Sequence, residues 1–291
     1  MAFRTDLAAE ALARAPRCPG ARQTEREEDG FSVIETVIET ADAAQKIGKP
    51  VGRYRTLGLG ALIRREEDAF PRACRALAGL LSGLLPESPR GGVLVVGLGN
   101  RAITPDAIGP QTVAHVVATR HLVAQEPDYF ADWRPVAAVA PGVLGQTGVE
   151  TGEIVRGLVE RVRPDAVIAV DALAAGRLSH LLRTVQCADV GIVPGAGVGN
   201  ARAALNRETL GVPVVAVGVP TVVDGATLAH EIAAQTGATG SEALDDLAAP
   251  LLVTTRDIDR EVADVSRVIG YAIDLALHPH LSIADIELCL N

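Results

Sequence analysis

The sequence of 291 residues has no apolar run of the roughly 18 to 20 residues that a membrane-spanning helix needs. Its opening, MAFRTDLAAEALARAPR, carries charged side chains early, where a secretion signal would have an uninterrupted apolar stretch. We therefore expect a cytoplasmic protein that does not interact with a membrane. With 48% hydrophobic residues, the chain is large enough to bury one substantial core.

Cysteines and basic clusters are also scarce. The four cysteines lie far apart and form no C-x-x-C pair, so they predict free thiols and neither a disulfide framework nor a thiolate zinc site. The formal net charge is −9 and no block of Lys and Arg stands out, which argues against a nucleic-acid partner.

Two familiar hydrolase motifs are missing as well. The chain contains no G-x-S-x-G, so a serine nucleophile is poorly supported. The segment HEIAA begins like a zinc-binding H-E-x-x-H at His230 but has Ala234 in the position of the second histidine. Cys187 has no obvious histidine partner for thiol catalysis. We therefore expect no cofactor and no metal, and turn to carboxylates.

What the sequence does contain is an alternation of strand and helix patterns. Short, almost wholly apolar runs occur at GGVLVVGLGN, AVIAVDAL and VPVVAVGVPTVV, and helical periodicity at QTVAHVVATRHLV, GEIVRGLVERV and DIDREVADVSRVIGYAIDLALH. Strands that are apolar on both faces and separated by helices indicate a covered parallel sheet. We predict an α/β fold, a three-layer sandwich with a mostly parallel sheet.

The flanking segments are less regular. The charged opening to about residue 30, interrupted by Pro16 and Pro19, predicts a loosely held arm. FSVIETVIET and PVGRYRTLGLGAL resemble strands, and REEDAFPRACRALAGLLSGLL has helical spacing. The segment 227–250, rich in Ala and Asp, is interpreted as an inserted excursion or a mobile lid.

The stretch GLGNRAITPDAIGP, residues 97–110, admits two interpretations. Its G-x-G-x-x-A pattern after a strand is typical of a dinucleotide-binding turn. However, Pro105 and Pro110 interrupt the helix that should begin there, and no acid ends a second strand about 20 residues further on. The other interpretation is that the turn presents the carboxylate of Asp106 to a substrate.

A second acid, Asp171, follows another apolar strand in VIAVDALAAG. Acids at the carboxyl ends of two strands can meet in one crevice, although each can also simply cap a helix. A close pair shares a proton and can activate water, or it can bind a divalent ion together with a histidine. Asp224, after a third apolar strand, is a reserve candidate.

Backbone N–H groups in two glycine clusters are candidates for binding substrate or a developing oxyanion. The alternative is that the glycines merely form tight connections. The candidate residues are Gly97, Gly99, Asn100, Gly195, Gly197 and Gly199.

Several long segments, in order along nearly the whole chain, resemble the germination protease family of endospore-forming bacteria. They include FRTDLAAEA, KIGKPVGRY, VVGLGNRAITPDAIGP, APGVLGQTGVETGEIV, GIVPGAGVGN and DVSRVIGYAIDLALHP. The resemblance implies a tetrameric endopeptidase, made as a zymogen, that degrades small acid-soluble spore proteins in the spore core. It implies a fold similar to hydrogenase-maturation proteases and catalysis by two aspartates, which match Asp106 and Asp171. A metal-dependent endopeptidase of the hydrogenase-maturation type and a non-catalytic nucleotide-binding protein remain as alternatives.

Family substrates are cut after the first Glu of a motif resembling Thr-Glu-(Phe/Ile)-Ala-Ser-Glu. TDLAAE, residues 5–10, has the same order of polar, acidic and apolar groups. We therefore expect self-cleavage between Asp6 and Leu7, which divides the chain into a short pro-segment, 1–6, and a single peptidase domain, 7–291. A pro-segment this short predicts weaker latency than in relatives.

Overall fold

The computed structural model describes residues 5–15, 17–88, 91–196, 199, 201–236, 247–248 and 251–290. Its centre is a nine-stranded sheet. The strands are β1 Ala21–Glu28, β2 Phe31–Ile38, β3 Gly52–Gly58, β4 Val93–Gly97, β5 Val136–Val139, β6 Ala166–Ala175, β7 Thr184–Ala188, β8 Val214–Asp224 and β9 Leu252–Val253.

Helices flank this sheet and connect its strands. They are α1 Ala8–Ala13, α2 Ala41–Ile47, α3 Gly60–Ile63, α4 Ala69–Ser82, α5 Ile108–Val113, α6 Arg120–Gln125, α7 Leu144–Thr147, α8 Thr151–Val162, α9 Arg207–Leu210, α10 Gly225–Thr236, α11 Ile258–Leu277 and α12 Ile283–Leu290. Two 3-10 turns, Thr104–Asp106 and Leu178–His180, complete the described elements.

The sheet is mixed, with a parallel and an antiparallel half. Its strand order is β1-β2-β3-β7-β8-β6-β4-β5, and β9 pairs with β8 outside this path. The strands β8, β6, β4 and β5 are parallel to one another, whereas β1, β2, β3 and β7 pair in antiparallel fashion up to β8. The α/β prediction is confirmed, and the three predicted apolar runs form β4, β6 and β8 of the parallel half.

Both faces of the parallel half are covered. In β4, Val93 and Val95 pack in a buried cluster with residues of α4 and α11, whereas Leu94 and Val96 pack on the opposite face with residues of α8. Successive side chains of a strand point to opposite faces, so an all-apolar strand needs a partner on each side. This arrangement gives the three predicted layers.

The segment QTVAHVVATRHLV does not form one continuous helix, so that prediction is wrong. It contributes to two short helices, α5 and α6, because polar contacts hold the chain between them. The Val117 N–H donates to the carboxyl of Asp274 at 3.0 Å, and the Thr119 N–H donates to the Val136 carbonyl at 3.0 Å. The Thr119 hydroxyl also accepts from the Val136 N–H at 2.9 Å. Tertiary hydrogen bonds here replace those of a helix.

The N-terminal segment is packed, which corrects the prediction of a loose arm. Leu7 is 1% exposed, and Ala8 and Cys18 are buried in a cluster with β2 and α2. All eight residues of β1 pair with β2. Apolar side chains buried between charged ones hold the segment in place. Of the expected excursion 227–250, the structure describes α10 to Thr236 and residues 247–248; the remainder lies outside the described residues.

All four cysteines are free thiols in the structure. Cys289 is exposed and the other three are buried. No helix in the described part of the chain combines the length and apolarity that crossing a bilayer requires.

Candidate active site

Asp106 and Asp171 line the same cavity, whose volume is about 600 Å³. Asp171 lies within β6, and Asp106 ends the 3-10 turn that follows β4. The two strands are parallel neighbours, and just past the end of β4 the Leu98 N–H donates to the Val170 carbonyl at 2.8 Å. The turn therefore crosses the carboxyl end of β6, where open α/β sheets bind their ligands.

The glycine turn is folded around Asp106. The Asn100 N–H donates to Asp106 Oδ2 at 2.8 Å. Gly99 has a φ of +109°, and a Cβ atom placed there would lie 2.1 Å from the Asp106 carbonyl oxygen. Only glycine tolerates both this backbone conformation and this close approach. The turn that resembles a dinucleotide fingerprint thus holds an acid in place.

Gly97 has a packing role at the end of β4. A Cβ atom at this position would lie 2.1 Å from the carbonyl oxygen of Gly109 in α5. Unlike Gly99 and Asn100, Gly97 is not among the described residues that line the cavity. Its small size lets α5 approach the strand, which fixes the position of the turn between them.

The electrostatics of the two acids are coupled. Asp171 is 5% exposed, and burial raises its pKa well above the ordinary value; the negative charge of Asp106 raises the pKa further. Burial also raises the pKa of Asp106, although the hydrogen bond from the Asn100 N–H acts in the opposite direction. Both shifts favour the protonated form of each acid at pH values where an exposed carboxyl would be ionised.

The second glycine cluster reaches the cavity at one described position. Gly195 lines the cavity, with a φ of +72°. Gly199 is exposed and is not one of the lining residues described, while Gly197 lies outside the described residues. Asn100 also lines the cavity. Its side-chain oxygen accepts hydrogen bonds from Gln146 Nε2 and from the Ala102 N–H. Among these candidates, Gly99, Asn100 and Gly195 therefore adjoin the acid pair.

The reserve acid, Asp224, lies elsewhere. It ends β8, and its Oδ1 accepts hydrogen bonds from the N–H groups of Ala226 and Thr227 at 3.1 and 3.2 Å. These are the free N–H groups of the first turn of α10. Asp224 does not line the cavity that contains Asp106 and Asp171.

The N-terminal segment supplies a third acid, Asp6 of the expected self-cleavage bond. Asp6 lines the cavity, and its charge also raises the pKa of Asp171. The Asp6 N–H donates to the Ala174 carbonyl at 2.9 Å, and the Ala174 N–H donates back to Asp6 Oδ2 at 2.8 Å. Lys49 Nζ lies 3.8 Å from Asp6 Oδ1. Nothing local in the sequence marks this long-range contact.

The remaining walls are mainly apolar, with one ion pair that the sequence analysis also missed. Arg202 and Glu150 line the cavity and lie 3.2 Å apart, Arg202 Nη1 to Glu150 Oε1. Apolar lining side chains are Leu98, Ile103, Val143, Leu144, Leu173, Val222 and Leu252. Apolar walls around a few convergent polar groups suit an organic ligand such as a polypeptide segment. Within the described ranges, no three His, Cys, Asp or Glu residues are grouped as metal ligands would be.

Comparison with known proteins gives a consistent family signal. A family model described as germination protease matches residues 7–235. A germination protease from Caldanaerobacter subterraneus subsp. tengcongensis is 40% identical, covering 100% of this chain and 99% of the relative. One from Clostridium tetani is 36% identical, covering 100% of both.

Among solved structures, a [NiFe] hydrogenase maturation protease, HycI from Thermococcus kodakarensis KOD1, is similar with a TM-score of 0.36 and 18% identity. The similarity covers 67% of this chain and 99% of that chain.

Proposed function

The chain belongs to the germination protease family, and from this membership we propose that it is the endopeptidase that begins the degradation of small acid-soluble spore proteins. The family assignment makes it a peptidase of spore germination. The substrate, the mechanism and the self-processing are our proposals. Its place of action is the cytoplasm of the developing and germinating spore, and its assembly is a homotetramer. It needs no membrane and no direct contact with nucleic acid.

In the proposed mechanism, Asp106 and Asp171 divide the work of an acid and a base. Asp171 is the more deeply buried acid and keeps the shared proton, while Asp106 is ionised and removes a proton from the attacking water. The water oxygen bonds to the scissile carbonyl carbon, and the C–N bond breaks. The leaving nitrogen receives a proton from Asp171. Because Asp106 has gained a proton from water, the pair of acids again holds one proton, as it did before the reaction.

The observation that carries this proposal is the shared cavity. Two acids remote in sequence line one opening, and the charge of one raises the pKa of the other. Perturbed carboxyls of this kind are typical of catalytic sites. The neighbouring Gly195 backbone is our candidate for stabilising the oxyanion.

We also propose that the protein is a zymogen that cleaves itself between Asp6 and Leu7. The position of Asp6 in the cavity of the acid pair supports this proposal. Intact-mass measurement of the purified protein, before and after mild acidification, should show the loss of residues 1–6. A chain that keeps its original N-terminus throughout would contradict self-processing.

The mechanism is tested by Asp106→Asn and Asp171→Asn, each assayed on a peptide from a small acid-soluble spore protein. Each substitution should lower kcat at least about 100-fold while leaving the far-UV circular dichroism unchanged, because each removes a proton-transfer group. Asp224→Asn is the matched control, since Asn also caps helices and Asp224 lies outside the cavity. It should retain activity.

The same assay, repeated with a chelator, distinguishes the metal-dependent alternative. If both Asp106→Asn and Asp171→Asn retain turnover, the paired-acid mechanism is wrong. If the wild type loses activity with chelator and recovers it with a divalent ion, the metal-dependent mechanism replaces it. Activity unaffected by chelator, combined with two inactive variants, supports the paired acids.

A further inference from the structure

Gln186 contacts the chain on both sides of the Asp6–Leu7 bond. Its side-chain Nε2 donates to the Asp6 carbonyl oxygen at 3.3 Å, and its Oε1 accepts from the Ala8 N–H at 2.8 Å. The Asp6 carbonyl is the one that would be attacked in the proposed self-cleavage. Gln186 lies in β7, which our sequence analysis did not predict as a strand.

The chemistry of this contact requires an amide. Gln186 is 7% exposed, and a buried polar group is costly unless it is hydrogen-bonded. The glutamine amide carries a donating NH2 group and an accepting oxygen, and here each makes a hydrogen bond with the N-terminal segment. An ionised glutamate would keep the acceptor for Ala8 but lose the donor to Asp6.

The sheet register places Gln186 and Asp171 on one face. Gly218 of β8 pairs with Asp171 of β6 on one side and with Gln186 of β7 on the other. Residues directly opposite one another on adjacent strands point to the same face. The two side chains therefore lie on the same side of the sheet, two strands apart, with Leu173 covering Gly218 between them.

A second anchor fixes how the segment lies across this face. Ala174 holds Asp6 through its backbone N–H and its carbonyl, so that Asp6 cannot slide along β6 without losing both hydrogen bonds. Leu7, on the other side of the bond, is 1% exposed. The bond between them is held in one register.

We propose that Gln186 positions the Asp6–Leu7 bond for self-cleavage and donates a hydrogen bond to its carbonyl oxygen as negative charge develops there. The inference rests on the proposed self-processing and assigns to it a residue outside the acid pair. Water adds to the Asp6 carbonyl carbon, the C–N bond to Leu7 breaks, and the proton that water loses is matched by the one that the Leu7 nitrogen gains. A preformed donor at such an oxygen lowers the barrier.

The test compares Gln186→Glu, Gln186→Met and wild type as full chains, by intact mass over time and across a pH series. At the highest pH at which wild type processes, both variants should process about 100-fold more slowly than wild type, the usual cost of losing one such donor. As the pH falls and the introduced glutamate becomes protonated, it regains a donor. The rate of Gln186→Glu relative to wild type should then rise, while that of Gln186→Met stays low.

The pH-dependent recovery ties the loss of rate to the hydrogen bond donated to the Asp6 carbonyl oxygen, because a packing defect at position 186 gives no recovery on protonation. Gln45→Glu, at an exposed position of α2, controls for the added charge and should process at the wild-type rate. Unfolding temperatures verify that each variant is folded.

Three outcomes overturn the inference. Wild-type rates in either Gln186 variant at the highest pH at which wild type processes would do so, as would a slowed Gln186→Glu whose relative rate does not rise at lower pH. In both cases the proposed function stands, because wild type still processes. A wild-type chain that is never cut between Asp6 and Leu7 would overturn the proposed self-processing and the inference with it.

Discussion

At the scale of single residues, the site is built from groups that are costly to bury. Asp171 is 5% exposed, and its Oδ1 accepts a hydrogen bond from the Ala172 N–H at 2.9 Å. Burial and the charge of Asp106 both oppose its ionisation. Groups that lower the stability of the fold but are needed for the reaction are common in active sites. The fold tolerates it because the surrounding strands are almost wholly apolar and well packed.

This cost predicts that Asp171→Asn stabilises the protein in a pH-dependent way. Below the unfolded-state pKa, near 3.8, both states hold the proton and the acid costs little. Above it, the unfolded chain releases the proton while the native state retains it, so wild-type stability falls until the raised native pKa is passed. The asparagine does not ionise. Its unfolding temperature should therefore exceed that of wild type at pH 7.

Thermal unfolding of both proteins between pH 3 and pH 8, followed by circular dichroism, checks this prediction. The difference in unfolding temperature should shrink as the pH falls towards 3.8, where the pH-dependent penalty disappears. A difference that stays constant over the whole range would contradict it. Asp189→Asn is a suitable comparison, because Asp189 is ion-paired with Arg53 outside the cavity.

At the scale of elements, the two longest strands carry the site. β6 and β8 continue to pair beyond Gly97, the last residue of β4, with a register shift between Leu173 and Ala174, and their carboxyl ends line the cavity. Asp171 and Ala174 lie on this extension of β6. β8 then passes directly into α10 at Gly225. The junction of β8 and α10 is therefore close in sequence to the residues of β8 that line the cavity. The hydrogen bonds accepted by Asp224 cap the helix at this junction.

Loss of that cap should destabilise α10. Asp224→Ala removes the acceptor for the N–H groups of Ala226 and Thr227, which leaves two buried donors unpaired. We expect a loss of about 0.5–2 kcal/mol in the free energy of unfolding, measured by urea titration. Asp224→Asn keeps an acceptor and should lose much less. Equal losses in the two variants would show that the charge of Asp224, and not the cap, is what matters.

At the scale of the whole molecule, one sheet joins both halves of the fold. The antiparallel strands β1, β2, β3 and β7 are hydrogen-bonded to the parallel half through β7 and β8. The N-terminal segment packs against the antiparallel half through Ala8, while Asp6 reaches the cavity in the parallel half. A cut after Asp6 would therefore act where the two halves meet.

This continuity predicts that the chain unfolds in one step. No strand of the described sheet can be removed from its interior without breaking pairing on both sides, so we expect a single cooperative transition. Differential scanning calorimetry should give a calorimetric enthalpy equal to the van't Hoff enthalpy. Two separable transitions, or an enthalpy ratio well above one, would contradict the prediction of a single peptidase domain over 7–291.

Much of the parallel half was predictable, because its signals are local. The runs that form β4, β6 and β8 are apolar at successive positions, since strands covered on both faces bury every side chain. The acidic residues that follow or end these runs are conspicuous because their neighbours in sequence are apolar. The packing of the N-terminal segment was missed, because its few apolar residues lie among charged ones.

By itself, the sequence determined the α/β class, three of the four strands of the parallel half and the two candidate acids, all of which follow from the pattern of neighbouring residues. Only the tertiary structure decided that these acids share a cavity, that Asp224 caps a helix and that Asp6 and Gln186 meet across 180 positions of sequence. Such contacts depend on strand order and register, which are fixed by packing between distant segments and leave no trace in local periodicity.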